Sequence, residues 1–93
     1  MSGKAEPVSV RILDREYTVG VDAEGRDALM AAARILDGKM REIRGANRMA
    51  AVDRVAVLAA LNLAHELQEL RAREAEIDRS LDALERKLDS LPG

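Results

Sequence analysis

Two periods divide the chain. Near its start Val8, Val10 and Ile12 alternate with Ser9 and Arg11, and the alternation resumes at Tyr17, Val19 and Val21 against Thr18 and Gly20. A period of two sends successive side chains to opposite faces of a strand. The spacing therefore predicts two short β-branched strands joined as a β-hairpin over residues 8–21. The polar break between them is Leu13-Asp14-Arg15-Glu16. A primed two-residue turn favours Asn-Gly or Asp-Gly, and Asp14-Arg15 supplies only the first half of that signal. A lone hairpin is marginal in water and leaves raw edges, so a helix is expected on one face, with room for a second copy at the edge.

The period then changes. Leu29, Ala33, Leu36, Met40 and Ile43 recur at helical spacing, with Ala32 and Ile35 widening the stripe. This predicts a helix over residues 23–44, with Asp22 as N-cap and Glu24 and Asp27 favourably placed in its first turns. Gly38 weakens the middle by up to about 1 kcal/mol relative to alanine. Gly45 suits the C′ position, and Asn47 suits the N-cap of a following helix.

That following helix dominates the remainder. No Pro or Gly interrupts residues 49–91, so nothing breaks its hydrogen-bond ladder before Pro92. At 1.5 Å per residue it would be a rod of roughly 60 Å. From Leu63 onward the apolar residues are Leu63, Leu67, Leu70, Ile77, Leu81, Leu84, Leu88 and Leu91, in alternating steps of three and four broken only at Glu74. This is the seam of a coiled coil. With Leu67 at position a, the a positions read Ala60, Leu67, Glu74, Leu81 and Leu88, and the d positions Leu63, Leu70, Ile77, Leu84 and Leu91. A lone helix would leave these leucines wet, so a partner helix is implied, each buried leucine contributing about 1.5–3 kcal/mol. Upstream, residues 49–61 are apolar on nearly every face except at Asp53 and Arg54, which predicts a root enclosed by other structure.

The expected class is thus α+β: an N-terminal hairpin, a short helix and a long coiled-coil helix, in an oligomer. The expected organisation is a disordered N-terminus over 1–6, a small α+β head over 7–62 with the helix root at 48–62, and a coiled-coil stalk over 63–93. Composition agrees with one small domain. Ninety-three residues with 47% hydrophobic content but only 1% aromatic, Tyr17 alone, make an aliphatic head of marginal stability, which again favours association. Without cysteine there is no disulfide framework and no thiolate metal site. No apolar run reaches membrane-spanning or signal length, so a cytoplasmic location is expected.

No motif for catalysis survives inspection, and no enzyme, cofactor, metal or small-molecule substrate is expected. The only histidine, His65, falls at f, opposite the seam, and lacks a second ligating residue. Asp14 and Glu16 beside Arg15 read as turn charge, since no predicted element encloses them. The glycines are scattered and form no phosphate cradle. Asn62 places an amide on the expected buried root, where it must find a partner, either within the fold or on another protein.

Charge is unevenly spread around a net of −2. Between residues 34 and 48 stand five basic residues, Arg34, Lys39, Arg41, Arg44 and Arg48, against Asp37 and Glu42. Arg15 and Arg26 could extend this basic face. From 66 to 89 there are eight carboxylates against five basic residues. A solvated helix face accounts for such charge, and so does a basic head docking on an acidic protein surface with its acidic stalk held off. Nucleic acid is disfavoured by the acidic net charge and by the absence of stacking aromatics.

Several stretches together resemble the ZapA family, small bacterial proteins that associate with the tubulin-like division protein FtsZ. Val8-Ser9-Val10-Arg11-Ile12 resembles the family's first strand, and Gly25-Arg26-Asp27-Ala28-Leu29 followed by Ala32-Ala33 its first helix. The most specific stretch runs from Val57 through Leu61-Asn62 to Glu66-Leu67, similar to the family's "AALN…EL" segment. The turn commonly carries Gly where this chain has Asp14, and many relatives run further past the position of Gly93. The resemblance implies a dimer, a dimer of dimers meeting antiparallel through the shafts, and cross-linking of FtsZ filaments at the division site. It also implies filament contact by basic head residues, matching Arg15, Arg26, Arg44 and Arg48 here. A two-ended rod suits that role, because attachment at one end raises the effective concentration at the other. Two other readings compete: a coiled-coil oligomerisation adaptor for a different soluble partner, and a nucleic-acid accessory protein with steeply salt-dependent binding.

Overall fold

The computed structural model describes residues 5–92. The chain runs strand β1 (Glu6–Ile12), strand β2 (Arg15–Val21), a 3-10 turn (Ala23–Gly25), helix α1 (Arg26–Ala46) and helix α2 (Val52–Asp89). This is the expected α+β order. β1 starts two residues before the expected Val8, so Glu6 lies within a strand; residues 1–4 of the expected disordered N-terminus lie outside the described residues.

The strands pair antiparallel, with Val8 opposite Val19, Val10 opposite Tyr17 and Ile12 opposite Arg15. Opposed residues share a face, so the alternating valines gather on one side. The Ile12–Arg15 pair leaves only Leu13 and Asp14 as the loop, one position earlier than the expected Asp14-Arg15. Both have positive φ, 51° and 65°. These are the values of the primed turns whose twist matches that of the strands, reached here without glycine. The reason for the shift lies outside the hairpin, since a two-residue loop at either place keeps every valine on its face. With the loop at 13–14, Leu13 is buried with Met40, Val55 and Ala59 and its amide donates to Asp37.

Asp22 does cap, its Oδ1 accepting from the Gly25 amide at 2.8 Å, but it closes the 3-10 turn that precedes α1. The end of α1 departs from expectation. Gly45 lies inside the helix, and no described glycine has positive φ. Asn47 is the residue that closes α1: its backbone N–H donates to Ile43 and Arg44 carbonyls and its Nδ2 to the Ile43 carbonyl at 3.2 Å. It is therefore not the N-cap of α2, which begins five residues later at Val52. A side-chain amide can donate to orphan carbonyls as readily as its oxygen can accept from amides. Here the carbonyl end of α1 takes it.

The compact units divide after Ala60. In the first, two small cores form. Val8, Val10 and Ala33 are buried with Leu29, Met30 and Val21 against them; Leu13, Met40, Val55 and Ala59 are buried with Leu36, Ile43 and Val52 against them. Ile12 packs on both. The expectation of a root enclosed on every face is corrected. Only Val55 and Ala59 of α2 are buried, while Val57 is 60% exposed. One chain of this size has a single layer to offer that helix, so it covers one side. Asn62 is exposed as well, so its amide is not buried within the single chain.

The second unit, starting at Leu61, is helical as far as Asp89, and none of its described residues is buried. Ser90 closes the end, its hydroxyl donating to the Lys87 carbonyl at 2.9 Å, just before Pro92 disfavours further helix.

Candidate functional site

The four arginines expected to contact a partner occupy distinct places. Arg15 opens β2 at the hairpin tip and is exposed. Arg26 is the first residue of α1, also exposed. Arg44 stands in the last turn of α1 and is half-buried; Arg48 follows in the exposed loop before α2. Arg26 and Arg44 are about 27 Å apart along the helix axis. The hairpin tip is tied to Asp37 and Arg41, which puts Arg15 beside the C-terminal half of α1, toward Arg44. The hairpin tip thus meets the half of α1 that carries Arg44, while Arg26 begins the other half.

The tie at the tip involves residues that spacing alone did not single out. The Leu13 amide donates to Asp37 Oδ1 at 2.7 Å, across 24 positions of chain. Arg41, one turn on, donates from Nε to both Asp37 oxygens, at 3.2 and 3.0 Å, and from Nη2 to Asp14 Oδ1 at 2.8 Å. The Leu13 amide, more than the Arg41 guanidinium, holds the Asp37 carboxyl below the usual aspartate range, and partial desolvation opposes both. Asp14 first and Asp37 second raise Arg41 above its ordinary value. Arg41 was counted in the basic face, and the structure corrects this: its guanidinium is engaged by two carboxylates. Lys39 is also paired, with Glu42 at 4.0 Å. The available signal was Asp37 and Arg41 at i, i+4, the favourable orientation for a helical ion pair.

Next to the tip lies an open apolar groove of about 830 Å³. Tyr17, Val19, Leu29, Leu36 and Val52 line it, with Arg15 and Asp53 as charged members. It exists because α1 packs on β1. Val8 and Val10 are buried, while their partners Val19 and Tyr17 stay 37% and 42% exposed on the same face.

The eight seam residues of the second unit keep their stripe. Leu63 is half-buried; Leu67, Leu70, Ile77, Leu81, Leu84, Leu88 and Leu91 are 46–63% exposed. His65 is exposed, 3.7 Å from Glu69 on the same helix. Among the described residues no three His, Cys, Asp or Glu side chains cluster as a metal site, and no helix is long and apolar enough to cross a membrane.

The family model for "Cell division protein ZapA" matches residues 8–92 of this chain. The chain belongs to the ZapA family. The ZapA cell division protein of Pseudomonas aeruginosa is 40% identical over 93 aligned residues, covering 91% of this chain and 89% of that protein. Among solved structures, a conserved bacterial protein of unknown role from Pseudomonas aeruginosa PAO1 superposes with a TM-score of 0.74 at 42% identity, covering 90% of this chain and 92% of that one. A ZapA mutant dimer from Geobacillus stearothermophilus superposes with a TM-score of 0.66 at 30% identity, covering 86% and 92%. ZapA membership makes this a cell-division protein. It also supplies a reason for an α2 that a single chain leaves so largely uncovered.

Proposed function

We propose that this ZapA-family protein is a non-enzymatic accessory of cell division that self-associates through α2, binds FtsZ filaments through its head, and cross-links them at the division site in the cytoplasm. The observation that carries the reading is the leucine stripe of the second unit, six large apolar side chains about half exposed along one helix and Leu91 just past its end. Single exposed apolar residues are ordinary, but a contiguous stripe at heptad spacing marks an association surface. A second copy is its simplest cover, giving a dimer, and two dimers meeting through their shafts would give a tetramer. The apolar groove of the head adds surface for the same association.

Arg15 at the hairpin tip, Arg44 and Arg48 at the end of α1, and Arg26 at its start provide the basic contact with the filament. Several weak contacts suffice, because an assembly with heads at both ends binds the second filament at high effective concentration. No bond is made or broken in such a role, so no cofactor or small-molecule substrate enters it. The test is co-pelleting with FtsZ filaments. Arg44→Glu combined with Arg48→Glu abolishes pelleting and leaves the sedimentation of the free protein unchanged. Undiminished co-pelleting of that variant would remove the basic-contact reading.

A further inference from the structure

The hairpin tip adopts a conformation that its own residues disfavour. Leu13 and Asp14 both stand at positive φ, where the β-carbon crowds the backbone; aspartate tolerates this region far better than leucine, and glycine best of all. Leu13 is nevertheless required, since its side chain is buried against Met40, Val55 and Ala59. The loop is held from outside. The Leu13 amide is bonded to Asp37, the Asp14 carboxylate to Arg41, and Arg41 to Asp37. All three bonds converge on two residues one turn apart on α1, and the next residue after the loop is Arg15.

We infer that Asp37 and Arg41 are positioning residues for the filament contact: they hold the 13–14 loop left-handed and so fix where Arg15 is presented. The inference rests on the reading that Arg15 touches the filament. Neither residue touches the filament itself. Arg41 is exposed, but its guanidinium is already engaged by Asp14 and Asp37. Without the clamp, Asp14 relaxes toward negative φ, and a turn of that kind splays the strands that it joins. Arg15, opposite Ile12 in the last pair of the ladder, moves with it.

This makes a prediction opposite in sign to simple electrostatics. Asp37→Ala removes a negative charge and frees a guanidinium, which by charge alone should strengthen docking on an acidic filament. Positioning requires that it weaken. The experiment is FtsZ co-pelleting at fixed ionic strength with the full chain and four variants: Arg15→Ala, Asp37→Ala, Asp37→Ala with Asp14→Gly, and Val8→Ala. Asp37→Ala is expected to weaken binding by about threefold or more, and the added Asp14→Gly to restore most of it, since glycine takes positive φ without strain. Val8→Ala, which thins the other core, lowers the melting temperature but leaves binding intact. Hydrogen exchange at the Leu13 amide accelerates in Asp37→Ala. Binding by Asp37→Ala equal to or tighter than that of the wild type, or no recovery with Asp14→Gly, would overturn the inference while Arg15→Ala still loses binding. If Arg15→Ala itself pellets like the wild type, the contact reading fails, and the inference goes with it.

Discussion

The two compact units solve the problem of apolar surface in opposite ways. The first hides Val8, Val10, Leu13, Met40, Val55 and Ala59 within one small chain, using a hairpin, a helix and the first turns of α2. The second has as regular an apolar pattern and hides none of it. Both stretches are rich in aliphatic residues, so composition does not distinguish them. The difference lies in neighbours. A hairpin and a helix can fold back on one another within the span of a loop, whereas a single uninterrupted helix has no second layer of its own. The first unit therefore has an intramolecular source of stability, whereas a stripe covered only by a partner would have a stability that depends on protein concentration.

The sharpest way to break this comparison is Leu81→Asp with Leu84→Asp. Two carboxylates in the seam should abolish self-association in sedimentation while the head keeps its hairpin and its thermal transition. A variant that stays fully associated would mean that the stripe is not the association surface. A smaller effect in the other unit follows from Met40→Ala, which empties part of a core where Met40 is 3% exposed. It should destabilise the head by about 2–5 kcal/mol in denaturant titration, with α2 pairing retained. Gly38→Ala tests the same unit in the stabilising direction. Gly38 sits mid-helix without positive φ, and a β-carbon there meets nothing within 4 Å, so the gain should be about 1 kcal/mol.

The smallest expected effect concerns acid. Asp37 has its ionisation favoured in the folded state, by the Leu13 amide and then by Arg41. A depressed carboxyl stabilises the fold at every pH above the ordinary aspartate range and loses that contribution as pH falls through its lowered value, below about 4. The denaturation midpoint of the wild type should accordingly drop on acidification more than that of Asp37→Asn. Parallel curves for the two proteins would show that the clamp carries no such linkage.

How much of this was legible depended on range. The hairpin, α1, α2 and the leucine stripe follow from spacings of two, three and four residues, because the sides of a strand or helix repeat over those distances. Caps were half legible. Asp22 closes a turn as its type suggests, but Asn47 can serve either of the helices that flank it, and its sequence neighbours do not decide which. The basic face was read too generously, since counting Arg41 as available ignores a carboxylate that lies 27 residues away in sequence.

By itself, the sequence determined which segments are strand and which are helix, and that one helix carries apolar residues its own chain does not cover. These are consequences of periodic side-chain chemistry along a local backbone. Only the tertiary structure decided that Leu13 and Asp14 form the turn and that Asp37 and Arg41, in the C-terminal half of α1, close on it. Those outcomes depend on where α1 docks against the hairpin. Docking is set by the joint packing of residues as distant as Leu13, Met40 and Val55, which no local period encodes.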